Sequence, residues 1–390
     1  MNARAAVSTG GRLLAGILLV ALVGCSTVGG WFGGSSKPAV KPNELTDFKA
    51  SVTLTPVWKQ ETSVVGRGVL IPAMDGEGVV AAGGKGDVHR FNVQSGQEEW
   101  KTVLGGDLAA GPGTGGGLVL LGDFRGELYA LDGATGKKRW ESQLSSDVAG
   151  IPVVAGDTVV VRTGDGKIFG LSSADGTQRW LFTIQLPLLS LQINKGVVQK
   201  DGIVYAGFAG GTLLAIDEKN GAQRWEASVT IPHGATELER VSDVAGSPVL
   251  DNRRVCAVAY QGRVACFDLS NGSPNWNRET SSDSGLAMDD ENVYVTDEKG
   301  IITAYDKDSG RAVWRQDKLA NRRVTGPLAL GKVIAVGDFE GYVHLLSTED
   351  GSFVGRAKAE GGAIQYAPVD IGPGIAVETA KGTVTAFKLN

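Results

Sequence analysis

The sequence predicts an all-β fold: an eight-bladed β-propeller of four-stranded antiparallel blades, closed by the N-terminal strand completing the C-terminal blade. Three observations predict it. First, a Gly-x-x-x-Trp ending recurs as SGQEEW (Trp100), TGKKRW (Trp140), DGTQRW (Trp180), NGAQRW (Trp225), NGSPNW (Trp276) and SGRAVW (Trp314), and a seventh copy, DGSFVG, carries Gly355 in place of Trp. The steps between these positions are 40, 40, 45, 51, 38 and 41 residues, the period of a propeller blade. Second, Pro72, Pro112, Pro152, Pro248 and Pro327 each stand 28 residues before such an ending, and Val197 and Leu286 take the equivalent place before Trp225 and Trp314. Third, Pro368 opens a further unit that runs out at Asn390, while Leu54 to Gln60 supplies an orphan Trp58 ahead of the first full unit. Joining the two completes an eighth blade and removes an open sheet edge.

Within a unit, Gly117 to Trp140 sets the pattern. Leu118 to Leu121 and Leu128 to Leu131 are short apolar runs, separated by the turn Asp123-Phe124-Arg125-Gly126. A second turn, Asp132 to Gly136, leads to the strand of Trp140. Short runs between turn residues describe a meander. One such sheet cannot cover both its faces and needs neighbours. The recurrent Asp132, Asp217, Asp268 and Asp306 precede Gly turns, where a carboxylate accepts backbone N–H bonds. Trp58, Trp100, Trp140, Trp180, Trp225, Trp276 and Trp314 read as packing between blades.

The chain has 390 residues, 57 glycines and a net charge of −5. Many tight turns account for the glycines, and a closed repeat array counts as one domain. An acidic chain with no basic stripe argues against nucleic acid as a partner. Residues 1–24 form a signal peptide: Arg4 and Arg12 precede the apolar run Leu13 to Val23, which is short for a membrane span. It ends in Leu22-Val23-Gly24-Cys25, which resembles the lipobox of bacterial lipoproteins. That resemblance implies cleavage before Cys25, acylation of that residue and stable membrane anchoring. Ser26 follows the Cys, where an Asp would retain such a protein at the inner membrane. The outer membrane is therefore the expected location, with the domain on the periplasmic face. Residues 25–45 carry the lipidated Cys and a Gly, Ser and Pro rich tether; residues 46–390 form the propeller.

Cys256 and Cys266 fall on adjacent strands, nearly opposite each other. A periplasmic setting permits a bridge, but directly cross-strand bridges are often strained, and free thiols are the favoured expectation.

The motifs of catalysis are not found in the sequence. His89, His233 and His344 are the only histidines, and none has metal-ligand spacing. No nucleophile elbow or Walker loop occurs. The expectation is a protein without catalytic residues, metal or cofactor.

Function is sought instead in the longest connectors. From each outer Trp to the next blade's landmark the steps are 14, 12, 12, 17, 23, 10, 13 and 13 residues. The two longest are consecutive: 181–196 (LFTIQLPLLSLQINKG) and 226–247 (EASVTIPHGATELERVSDVAGS). Insertions grouped on one rim are a common binding device of repeat proteins. Leu186, Leu188, Leu189 and Leu191 surround Pro187 in the first; the second offers Glu237, Glu239, Arg240 and Asp243. Apolar anchors beside a charged rim describe a protein-binding patch.

With these features the chain resembles the BamB (YfgL) family of outer-membrane assembly lipoproteins over its whole length. The most specific segments are LPLLSLQ, TELERVSDVAGSPV and GDFEGYVHLLSTEDG. The resemblance implies a non-enzymatic scaffold that binds the POTRA domains of BamA and assists insertion of β-barrel proteins. The family's contact surface uses a Leu-x-Leu-Arg and a Ser-Asp-Val-Asp segment. Leu189 and Leu191 match the two Leu, and Gln192 replaces the Arg. Asp243 matches the first Asp, and Ala245 replaces the second. Arg240 and Glu237 supply the remaining charge. Two alternatives stand beside this reading. The Trp repeats are shared with pyrroloquinoline-quinone propeller dehydrogenases, which would need a cofactor pocket with metal-ligating carboxylates. A chaperone-like binder would add strands of unfolded outer-membrane barrel precursors to exposed sheet edges.

Overall fold

The computed structural model describes residues 41–191 and 196–390. The signal peptide, Cys25, most of the tether and Gln192 lie outside the described residues. Eight sheets, each of at least four strands, form the ring. A representative blade, the second, runs Leu108–Gly115, Leu118–Asp123, Glu127–Asp132 and Lys138–Gln143 from inside to outside, all antiparallel. The short strand Val69–Leu70 adds to it in parallel beside Ala110 and Gly111, a feature without a sequence signal.

Burial follows position in the blade. Second strands such as Gly78–Ala82, Leu118–Asp123 and Thr158–Arg162 are buried at every residue, because neighbouring blades cover both faces. Outer strands such as Glu98–Val103, Lys138–Gln143 and Gln178–Thr183 bury the Trp and leave most other residues exposed.

The Gly-x-x-x-Trp repeat has a mechanical reason. Each Trp indole N–H donates to a turn carbonyl of the following blade: Trp58 to Val93 at 2.8 Å, Trp100 to Gly133 at 2.9 Å, Trp140 to Ser173 at 3.0 Å and Trp180 to Glu218 at 2.8 Å. Trp225, Trp276 and Trp314 continue the series onto Leu269, Lys307 and Thr348. The turn glycine of that following blade lies under the ring. At Gly136, φ is +67° and a Cβ would stand 2.5 Å from Trp100. Glycine is thus required twice there, for the left-handed backbone and for the close approach.

The ring closes as expected. Leu54–Glu61 pairs antiparallel with Thr383–Leu389, from Leu54 against Leu389 to Glu61 against Thr383, as the outermost strand of the eighth blade.

One expectation is corrected: Cys256 and Cys266 form a disulfide. The register places them directly opposite each other, with Cα atoms 4.0 Å apart. That is the narrow type of cross-strand pair, which brings side chains together. Both are fully buried between blades five and six, among Val258, Val264 and Trp276.

Candidate functional site

The two long connectors join consecutive blades. The first leaves the outer strand Gln178–Thr183 of blade three and enters Val197–Lys200 of blade four. The second leaves Gln223–Ser228 of blade four and enters Val244–Leu250 of blade five. They meet: the Leu191 N–H donates to Asp243 Oδ2 at 2.6 Å.

The leucines of the first loop divide by direction. Leu186 packs against the core shared by blades three and four, which includes Ile168, Trp180 and Leu214. Leu188 is 92% exposed and Leu189 47%. Leu191 is half-buried where its backbone meets Asp243. Pro187, with its fixed φ, stands between the inward and outward leucines.

The second loop is braced from within. Thr236 and Glu239 bond reciprocally: the Glu239 N–H donates to Thr236 Oγ1 at 3.3 Å, and the Thr236 N–H to Glu239 Oε2 at 3.1 Å. The Ala235 N–H reaches the same carboxylate oxygen at 2.7 Å. This is a capping box around a single helical turn. These backbone donors lower the Glu239 pKa below the usual carboxylate range. Arg240 Nε donates to the Gly234 carbonyl at 3.0 Å, and Nη1 lies 3.4 Å from Glu237 Oε1. The turn presents Leu238 at 71% exposure, with Ile231 at 66% nearby.

Of the site residues named from sequence, Leu189, Glu237 and Arg240 are exposed, and Leu191 is half-buried. Asp243 is buried, 2% exposed; it joins the loops and does not face solvent. Leu188 is the most exposed of the leucines around Pro187, and Ile231 and Leu238 join it as exposed apolar residues that were not named from sequence. Thr-x-x-Glu was the available signal for the turn that raises Leu238.

Two histidines elsewhere are held by carboxylates of blades one and seven. His89 Nδ1 lies 2.7 Å from Glu98 and Nε2 3.1 Å from Asp87. His344 Nε2 lies 3.0 Å from Asp338 and accepts from Arg356 Nε at Nδ1, and its burial lowers its pKa. Among the described residues, no His, Cys, Asp and Glu group is arranged to hold a metal ion.

Comparison with known proteins matches this architecture. The family model described as outer membrane protein assembly factor BamB matches residues 84–316 and 298–390. The BamB of Pseudomonas aeruginosa is 44% identical over 376 residues, 95% of this chain and 97% of that protein. The crystal structure of BamB from Moraxella catarrhalis superposes with a TM-score of 0.80 at 29% identity, covering 86% of this chain and 99% of that one. The quinohemoprotein alcohol dehydrogenase of Comamonas testosteroni has a TM-score of 0.64 at 14% identity, over 86% of this chain and 76% of that one. That likeness is one of fold alone. The chain belongs to the BamB family of outer membrane protein assembly factors, which are named for assembly and not for catalysis.

Proposed function

We propose that this BamB-family chain is a lipid-anchored docking subunit of the β-barrel assembly machinery on the periplasmic face of the outer membrane. Residues 1–24 direct export, Cys25 carries the lipid, and the tether lets the propeller reach its partner. The partner is BamA, held through its periplasmic POTRA domains by the paired loops of blades three to five.

The observation that carries this reading is the exposure of Leu188, Leu189, Ile231 and Leu238 on two loops fastened to each other. Large apolar side chains on a braced loop, beside the exposed Arg240–Glu237 pair, match the anchor-and-rim anatomy of an interface. Burying one such leucine contributes roughly 1.5–3 kcal/mol. Leu189 and Leu191 act as anchors and Asp243 positions them. Gln192, in place of an arginine, leaves the charged part of the contact to Glu237 and Arg240.

The test is an affinity pull-down from detergent-solubilised membranes, comparing the native chain with Leu188→Asp/Leu189→Asp. BamA should co-purify with the native chain and be lost with the variant, whose melting temperature stays near wild type because both residues are exposed. Undiminished recovery of BamA by the variant would rule out this patch.

A further inference from the structure

The two loops are joined over a buried charge. An ionised carboxylate at the position of Asp243 requires a compensating cation. Arg162, 2% exposed at the end of Thr158–Arg162 in blade three, is placed to supply it. Its Nη1 donates to the Gly207 carbonyl of blade four, and its guanidinium lies 4.0 Å over the ring of Phe208. Asp243 is the charge that acts on it. Burial lowers the Arg162 pKa to about 9, and Asp243 opposes that fall, so the side chain remains a cation at neutral pH. The same small region ties down the end of the second loop: the Val244 N–H donates to the Phe208 carbonyl at 3.1 Å, and the Tyr260 N–H to the Asp243 carbonyl at 2.8 Å.

We propose that Arg162 is the positioning residue of the docking rim. It is a buried cation, aimed by blade four, that opposes the carboxylate of Asp243 and, through the Asp243–Leu191 bond, sets the two loops in register. The proposal rests on the reading of these loops as a docking surface. Three blades contribute to the device: Arg162 from the third, Gly207 and Phe208 from the fourth, and Asp243 from the entry to the fifth. The relative position of the loops is therefore set by the packing of the ring and not by the loops alone.

The test uses the full chain in three forms: native, Arg162→Met and Arg162→Met/Asp243→Asn. Two quantities are read: hydrogen exchange of the Leu191 amide, and recovery of BamA from solubilised membranes. In Arg162→Met the Leu191 amide should exchange about tenfold faster or more, and BamA recovery should fall about tenfold. The double variant should regain slow Leu191 exchange, because Asn keeps an oxygen for the Leu191 N–H and leaves no buried charge to compensate. A role confined to core packing would not be rescued by removing the second charge. Unchanged Leu191 exchange in Arg162→Met, or no rescue in the double variant, overturns the proposal. Faster exchange with undiminished BamA recovery upholds the brace and overturns the docking reading. Should Arg162→Met fail to fold, Arg162→Gln keeps a donor for the Gly207 carbonyl but removes the charge. It must still accelerate Leu191 exchange, and unchanged exchange overturns the proposal.

Discussion

Glu378 makes the ring closure sensitive to pH. It ends the strand Gly374–Glu378 of the closing blade and is 7% exposed. Thr62 Oγ1 donates to its Oε1 at 2.8 Å, and Oε2 is buried with no hydrogen-bond partner among the described residues. Burial, with a smaller push from the like charge of Asp87, raises its pKa from 4.5 to about 8, against the opposing bond from Thr62. In the unfolded chain the same carboxyl ionises near its ordinary value. A raised folded pKa means the folded state binds the extra proton. The stability this group contributes is therefore complete below about pH 4.5 and is lost as pH rises toward 8. At 1.36 kcal/mol per pKa unit, the loss by pH 7 has a ceiling of about 3 kcal/mol. Glu378→Gln keeps the shape, keeps an acceptor for Thr62 and cannot ionise. Urea unfolding at pH 5, 6, 7 and 8 should find the variant increasingly more stable than wild type as pH rises, by about 3 kcal/mol at neutral pH. Parallel stability profiles for the two proteins would refute the reasoning, because they would mean that Glu378 is ionised in the folded ring.

Two further perturbations address the seams. Gly136→Ala places a methyl group 2.5 Å from the Trp100 ring at a φ of +67°. It should cost at least about 2 kcal/mol in urea unfolding, together with a change in Trp fluorescence. Cys256→Ser/Cys266→Ser opens a bridge spanning a sequence separation of 10, and the chain-entropy cost is about 3 kcal/mol. Unfolding with and without reductant should reproduce that loss in the native chain only, and two free thiols by mass spectrometry of unreduced protein would overturn the bridge.

Most of the fold was legible because the repeat makes each blade report the same structure. Trp140, Gly136 and Asp132 place a turn and a strand, and six further endings repeat the statement. The site was legible only in part. Connector length located both loops, since an insertion breaks a period. Direction within a loop has no periodic signal: Leu186 turns inward and Leu188 outward, two residues apart. Arg162 was invisible for a different reason. It sits in an ordinary second strand, and its partner Asp243 lies two blades further along the chain. The Cys256–Cys266 spacing left bridge and thiols both open, and the register decided between them.

The one blade ending without Trp follows from how the ring closes. Each Trp seals against the turn that precedes the next blade's outer strand, through a carbonyl and an underlying glycine. After blade seven that turn does not exist, because the outer strand of blade eight comes from the other end of the chain. The N-terminal segment runs there instead. The Ser51 and Val52 N–H groups both donate to the Val354 carbonyl at 2.9 Å, and Thr53 exchanges backbone bonds with Asn390 at 3.0 Å. A Cβ on residue 355 would stand 2.7 Å from the Val52 carbonyl oxygen. Further out, Phe48 stacks on Phe353 at 5.5 Å, and Arg356 lies 4.9 Å over Phe48 while donating to the Thr46 carbonyl. Aromatic packing is thus kept at this seam, but it is supplied by the incoming arm. Gly355 and the orphan Trp58 are two consequences of one choice: closing the ring with a strand from the opposite terminus.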